Sequence, residues 1–131
     1  KGICPDGWHI PSHYEWTLLE KNAGSSPNDF PYDITTLGWR GTDEGNNMRA
    51  TTGWNVNNGT NNLGFNALPG GYSGEGYGFY MLGNTSWWYS STEATSTWAW
   101  YRQLNSNENR VHRYYEFYSK AVGMSVRCVK D

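Results

Sequence analysis

The chain has 131 residues, enough for one domain that buries roughly two thirds of the surface its unfolded form exposes. Ten Lys and Arg against twelve Asp and Glu leave a formal net charge of −2; without a basic stripe to neutralise phosphates, no nucleic-acid partner is expected. No run approaches the roughly 20 apolar residues that span a bilayer, so the domain is not expected to insert directly into a membrane. Eight Trp and ten Tyr beside 16 Gly predict a core built on aromatic rings and a β-rich chain with much irregular structure.

In chain order, Cys4-Pro-Asp-Gly-Trp-His-Ile10 reads as a short strand after a Pro-Asp-Gly turn. Ser12 and Glu15 form a capping box that opens a helix of about ten to twelve residues, with Trp16, Leu18 and Leu19 on its apolar side and Gly24 as its stop. His9 and His13 are too few, and too far from carboxylates, to name a metal site. A second, shorter helix is predicted from Asp33 through Ile34 and Leu37 to Trp39. Arg40 to Met48 then reads as an acidic, solvated loop: Asp43, Glu44, Asn46 and Asn47 offer oxygens, but not at the spacing of an EF-hand. No metal and no cofactor are expected.

Trp54 to Asn62 is an Asn/Gly-rich loop that depends on side-chain to backbone hydrogen bonds. Gly70 and Gly71 permit backbone angles or close approaches that a Cβ forbids. Cys4 and Cys128 admit two readings, a structural disulfide or a reactive thiol. Neither lies in a Cys-x-x-Cys pair or near an obvious His/Asp partner, which favours the bridge and an oxidising compartment.

The C-terminal third, Trp98 to Tyr118, carries two alternating runs about a polar Asn/Ser/Glu turn, the signal of a β-hairpin. Alternation puts Trp100, Arg102, Leu104, Val111 and Arg113 on a scaffold face. Tyr101, Gln103, Asn105, His112 and Tyr114 fall on the other, predicted to face solvent. With Trp98, Asn107, Asn109, Glu116 and Tyr118 nearby, this face is the candidate ligand-binding surface: Tyr and Trp supply rigid contact area, while Asn and Ser adapt their hydrogen bonds. The bland alternative is that these aromatics pack against a neighbouring loop.

Several longer motifs, Cys4-Pro-Asp-Gly-Trp-His-Ile-Pro-Ser12, Arg40-Gly-Thr-Asp-Glu-Gly45, Gly64-Phe-Asn-Ala-Leu-Pro-Gly-Gly-Tyr72, Trp88-Tyr-Ser-Ser-Thr-Glu93 and Ser125-Val-Arg-Cys-Val-Lys-Asp131, together resemble the Fibrobacter succinogenes major paralogous domain. Tyr89 stands where a second Trp is expected. The resemblance implies an α+β, C-type lectin-like fold, with two helices around a small twisted antiparallel sheet, long irregular loops and termini close together. It also implies a single domain, residues 1–131, as the C-terminal module of a bacterial surface lipoprotein or pilus-tip adhesin, extracellular at the cell surface.

The same fold carries the variable proteins of diversity-generating retroelements, and the Asn, Ser, Tyr and His over Tyr101 to Tyr118 resemble the output of mutable Asn codons. The expected partner is a host or bacterial surface glycan or protein; a structural module of a surface filament is the runner-up. Related formylglycine-generating enzymes use cysteine chemistry, but here the only cysteines occupy the expected bridge, so no enzyme activity is expected. The calcium-binding tripeptides of animal lectins are missing, with Trp54-Asn55-Val56 the nearest approach, so binding should survive a chelator.

Overall fold

The structure, a computed structural model, describes residues 2–76 and 78–131. Its elements in order are β1 (Trp8–His9), α1 (His13–Ala23), a 3-10 turn (Pro27–Asp29), β2 (Gly38–Arg40), α2 (Glu44–Met48), β3 (Tyr72–Ser73), β4 (Phe79–Tyr80), β5 (Thr85–Glu93), β6 (Ala99–Asn105), β7 (Glu108–Tyr114) and β8 (Val129–Lys130). The architecture is mixed α+β. The predicted hairpin is the centre of an antiparallel sheet in the order β2-β7-β6-β5, flanked by the small pairs β1-β8 and β3-β4. No helix among the described residues is long and apolar enough to cross a membrane.

α1 begins and ends where its sequence predicts. The Glu15 amide donates to Ser12 Oγ at 3.2 Å, and the Ser12 amide donates to Glu15 Oε2 at 2.8 Å, closing the capping box. Its inward face differs from the prediction. His13, Trp16, Thr17, Glu20 and Ala23 are buried, one stripe of helical period, while Leu18 is 42% exposed. The reason lies across the interface. The sheet surface beneath α1 carries Arg102 and Arg113, both fully buried, so the helix supplies an imidazole and a carboxylate rather than a purely apolar stripe.

The resulting network pairs most of its polar atoms and leaves Arg113 Nε buried without a partner among the described residues. Arg102 Nη2 donates to Glu20 Oε2 at 3.2 Å, Arg102 Nε pairs with Glu20 Oε1, and Arg102 Nη1 donates to His13 Nδ1 at 3.2 Å. His13 Nε2–H then donates to the Asp33 carbonyl at 2.8 Å, a tautomer assigned by these partners. Arg113 donates to the carbonyls of Pro31 at 3.0 Å and Asp33 at 3.1 Å. Burial first, then the Arg102 guanidinium, pushes His13 down to about 4, so it is neutral at physiological pH.

The second helix is not where it was predicted. Asp33 instead closes a turn, its Oδ1 accepting the amides of Thr35 at 3.1 Å and Thr36 at 2.7 Å; such side-chain bonds compete with helix formation. The chain then enters β2, and α2 forms in the stretch expected to be a solvated acidic loop. Glu44 there is fully buried. Its carboxylate accepts the amides of Ser26 and Thr42 at 2.7 Å and of Asp43 at 3.1 Å. Gly45 lies against the backbone carbonyls of Asn109 and Arg110, where any Cβ would collide, so α2 docks backbone to backbone on β7.

The apolar core is aromatic, as composition predicts: Trp16, Phe30, Met48, Trp54, Trp88, Leu104 and Val111 form one buried cluster. At the far end β1 pairs antiparallel with β8, and Cys4 and Cys128 are bridged with Cα atoms 5.8 Å apart. His9 corrects its own reading, for its ring joins Asp131 at 2.6 Å and Glu15 at 2.8 Å. Asp131 is brought there from 122 residues away, Glu15 from six.

Candidate functional site

The scaffold face of the hairpin is as predicted: Trp100, Arg102, Leu104, Val111 and Arg113 are all buried under the helices and core. The opposite face is set by cross-strand register. Trp39, His112, Gln103 and Trp87 stand in one row across the four strands, and Tyr114, Tyr101 and Tyr89 in the next. Opposed side chains on one face of a sheet lie close enough to touch, so the row pattern makes a continuous aromatic surface.

That surface is not uniformly open. Tyr101, predicted to face solvent, is 2% exposed. The chain after β7 folds back across it, placing the Tyr118 ring 6.2 Å from Tyr101, 4.7 Å from Trp87 and 5.6 Å from Tyr72. Tyr89 helps to hold this return segment, its hydroxyl donating to the carbonyls of Ser119 at 3.0 Å and Val122 at 3.1 Å. Burial drives the Tyr101 phenol well above its ordinary pKa. Tyr101 therefore packs under a neighbouring loop that carries Tyr118, which the alternating pattern of β6 and β7 alone does not reveal.

What remains accessible is a strip along β7 and β2. His112 is half-buried between Trp39, 4.8 Å away, and Tyr114, 5.3 Å away with nearly parallel rings. Phe117 continues the series, 5.5 Å from Tyr114, nearly parallel to it and 81% exposed. Burial pushes His112 down to about 4, and its Nδ1 is buried without a partner among the described residues. Gln103 and Asn105 flank this strip on β6, both partly accessible, joined by a 2.9 Å bond from Gln103 Nε2 to Asn105 Oδ1. The arrangement offers flat apolar ring surface beside amide donors and acceptors.

The other predicted residues are distributed more widely. Asn107 is exposed at the turn between β6 and β7. Asn109 is exposed but accepts from the buried Arg49 at 3.2 Å, and Arg49 also donates to the Asn105 carbonyl at 2.9 Å and to that of Glu108. This arginine braces the hairpin turn from beneath. Glu116 is half-buried; its carbonyl and carboxylate accept long bonds from Tyr101 at 3.4 Å and Tyr114 at 3.5 Å. Trp98 lies in the β5–β6 turn. A strand the length of β6, about 20 Å, separates it from Asn107, so these two predicted residues stand at opposite ends of the hairpin. Sequence reading missed Trp39, Phe117 and Arg49. The Trp39 strand was hidden in a predicted helix, and Arg49 had no pattern to mark it.

No group of three or more His, Cys, Asp or Glu among the described residues could hold a metal ion. Comparison with curated proteins and with solved structures returns no match. The family model of the Fibrobacter succinogenes major domain matches residues 1–130, and the chain belongs to that family.

Proposed function

We propose that this chain is an extracellular, adhesin-type binding domain of a bacterial surface lipoprotein or pilus-tip protein, with a C-type lectin-like fold, and that it engages a surface glycan or protein without calcium. The observation that carries the reading is the accessible strip of Trp39, His112, Tyr114 and Phe117 beside Gln103 and Asn105, rigidly backed by a four-stranded sheet. Rings of this kind offer flat faces to a sugar or a protein side chain, and the amides supply directional bonds. The fold assignment is supported by two helices, antiparallel sheets and paired termini. With both cysteines in a disulfide, thiol catalysis is not proposed.

The reading extends to diversification. The exposed polar turn position Asn107 can vary without disturbing the core, whereas Asn109 is tied to the buried Arg49, and comparison of gene copies from many isolates tests this. The runner-up, a structural module in a surface filament, is favoured by a different feature: Phe79 is 85% and Leu82 73% exposed, apolar area suited to burial against another subunit.

The test is binding of the immobilised domain to a panel of glycans and surface proteins, with and without chelator. The expected result is a chelator-insensitive ligand whose binding is lost in the Gln103→Ala/Tyr114→Ala/Phe117→Ala variant while thermal unfolding is unchanged. Undiminished binding by that variant refutes the assignment of the strip.

A further inference from the structure

A second concave site lies away from the aromatic strip. Trp16, Leu18 and Leu19 of α1, with Phe65 from the facing loop, line a groove of about 520 Å³ beside the Cys128–Val129 segment. Its volume falls within the range of small-molecule pockets, and it shares no residue with the strip described above.

Its polar groups are few and specific. Among the lining side chains, only the Trp16 indole and the Arg127 guanidinium carry donors. The Trp16 Nε1–H is itself out of solvent and has no acceptor among the described residues, an uncommon state for a buried donor, so Arg127 is the donor the groove presents. Arg127 is exposed, held 4.4 Å over the Phe65 ring and bonded to the Phe65 carbonyl. That leaves most of its five N–H groups available, and no carboxylate pairs with it among the described residues. Glu15 also lines the groove, but its oxygens are committed to Ser12 and His9.

We propose that this groove binds a small molecule with an apolar body and a single carboxylate. The body lies on Trp16, Leu19 and Phe65, and the carboxylate pairs with the guanidinium of Arg127, which is held at the groove by the Phe65 ring and carbonyl and can receive a carboxylate through its fork of N–H groups. An extended peptide suits the groove less well. Its amides would meet apolar walls and lose their hydrogen bonds to water without replacement.

The test uses proton–nitrogen correlation spectra of the intact domain, with decanoate as the probe and decanol as its uncharged control. Decanoate at millimolar concentration should shift the Trp16 indole signal saturably, with decanol about tenfold weaker, the factor expected for loss of one charge-assisted bond. Arg127→Gln should weaken decanoate about tenfold and leave decanol unchanged, while Arg127→Lys recovers part of the affinity. Because Arg127 is exposed, the spectrum of the Gln variant should superimpose on that of the parent except around residue 127 and Phe65, which the guanidinium touches. Absence of a saturable shift, equal affinity for decanol and decanoate, or undiminished decanoate binding by Arg127→Gln overturns the proposal. So does a shift produced by a peptide ending in an apolar residue where decanoate gives none.

Discussion

The ion pair between α1 and the central hairpin offers the sharpest test of how this fold is held. Arg102 and Glu20 are 1% and 0% exposed. Arg102→Met leaves the Glu20 carboxylate inside the protein with no cation, and Glu20→Leu leaves a buried guanidinium whose remaining partner is the neutral His13. Breaking one side of such a pair costs about 3–5 kcal/mol, a large part of the roughly 5–15 kcal/mol that stabilises a domain. For a chain of this length that corresponds to a fall in Tm of roughly 10–20 °C. The Glu20→Leu/Arg102→Met double variant removes both charges and keeps the volume. It should recover to within about 1 kcal/mol of the parent, because apolar replacement of a whole buried pair is often neutral or favourable. Urea unfolding of the four proteins gives the cycle directly, provided the m-value stays constant. A single variant that loses less than about 1 kcal/mol, or a double variant as unstable as the sum of the singles, refutes the argument.

Other expectations follow from the same geometry. Replacing Cys4 and Cys128 by Ser opens a loop set by a sequence separation of 124, worth about 5 kcal/mol on the chain-entropy model; thermal unfolding with and without reductant measures it. Tyr101→Ala should cost about 3–5 kcal/mol as a buried aromatic truncation, whereas Phe117→Ala should change stability little and binding strongly. His13 and His112 are both pushed down to about 4, so the unfolded chain takes up protons before the folded one. Their contribution is complete above pH about 6.5 and is lost as pH falls towards 4, a slope that His112→Phe should reduce. His9 behaves oppositely. Its bonds to Asp131 and then Glu15 raise its pKa, so its contribution is present below pH about 6.5 and lost as pH rises through the folded value. His9→Gln should remove that trend from urea midpoints measured across neutral pH.

Local rules carried the features whose causes are local. The capping box of Ser12 and Glu15, the stop at Gly24, and the alternation of β6 and β7 each depend on residues within a few positions of one another. Gly71 likewise has φ +63 and lies against the Tyr80 carbonyl, the kind of approach its Gly pair suggested. The Asp33–Trp39 helix failed because an Asx turn and a strand pairing with β7 outweighed a short apolar pattern. The acidic stretch at Asp43 and Glu44 looked solvated because the amides that receive Glu44 include Ser26, 18 residues away.

The amino-acid sequence by itself determined the family, the aromatic nature of the core, the first helix, the central hairpin and the division of its residues between two faces, since alternation and capping act over short distances. Tertiary structure decided which side of α1 turns inward, because only packing brings Glu20 and His13 onto Arg102 and Arg113. It also decided which part of the outer face stays open. The segment after Tyr114 returns over Tyr101 and leaves Trp39, His112, Tyr114 and Phe117 accessible. Exposure is a property of what covers a residue, and the covering chain is placed by contacts that no local pattern encodes.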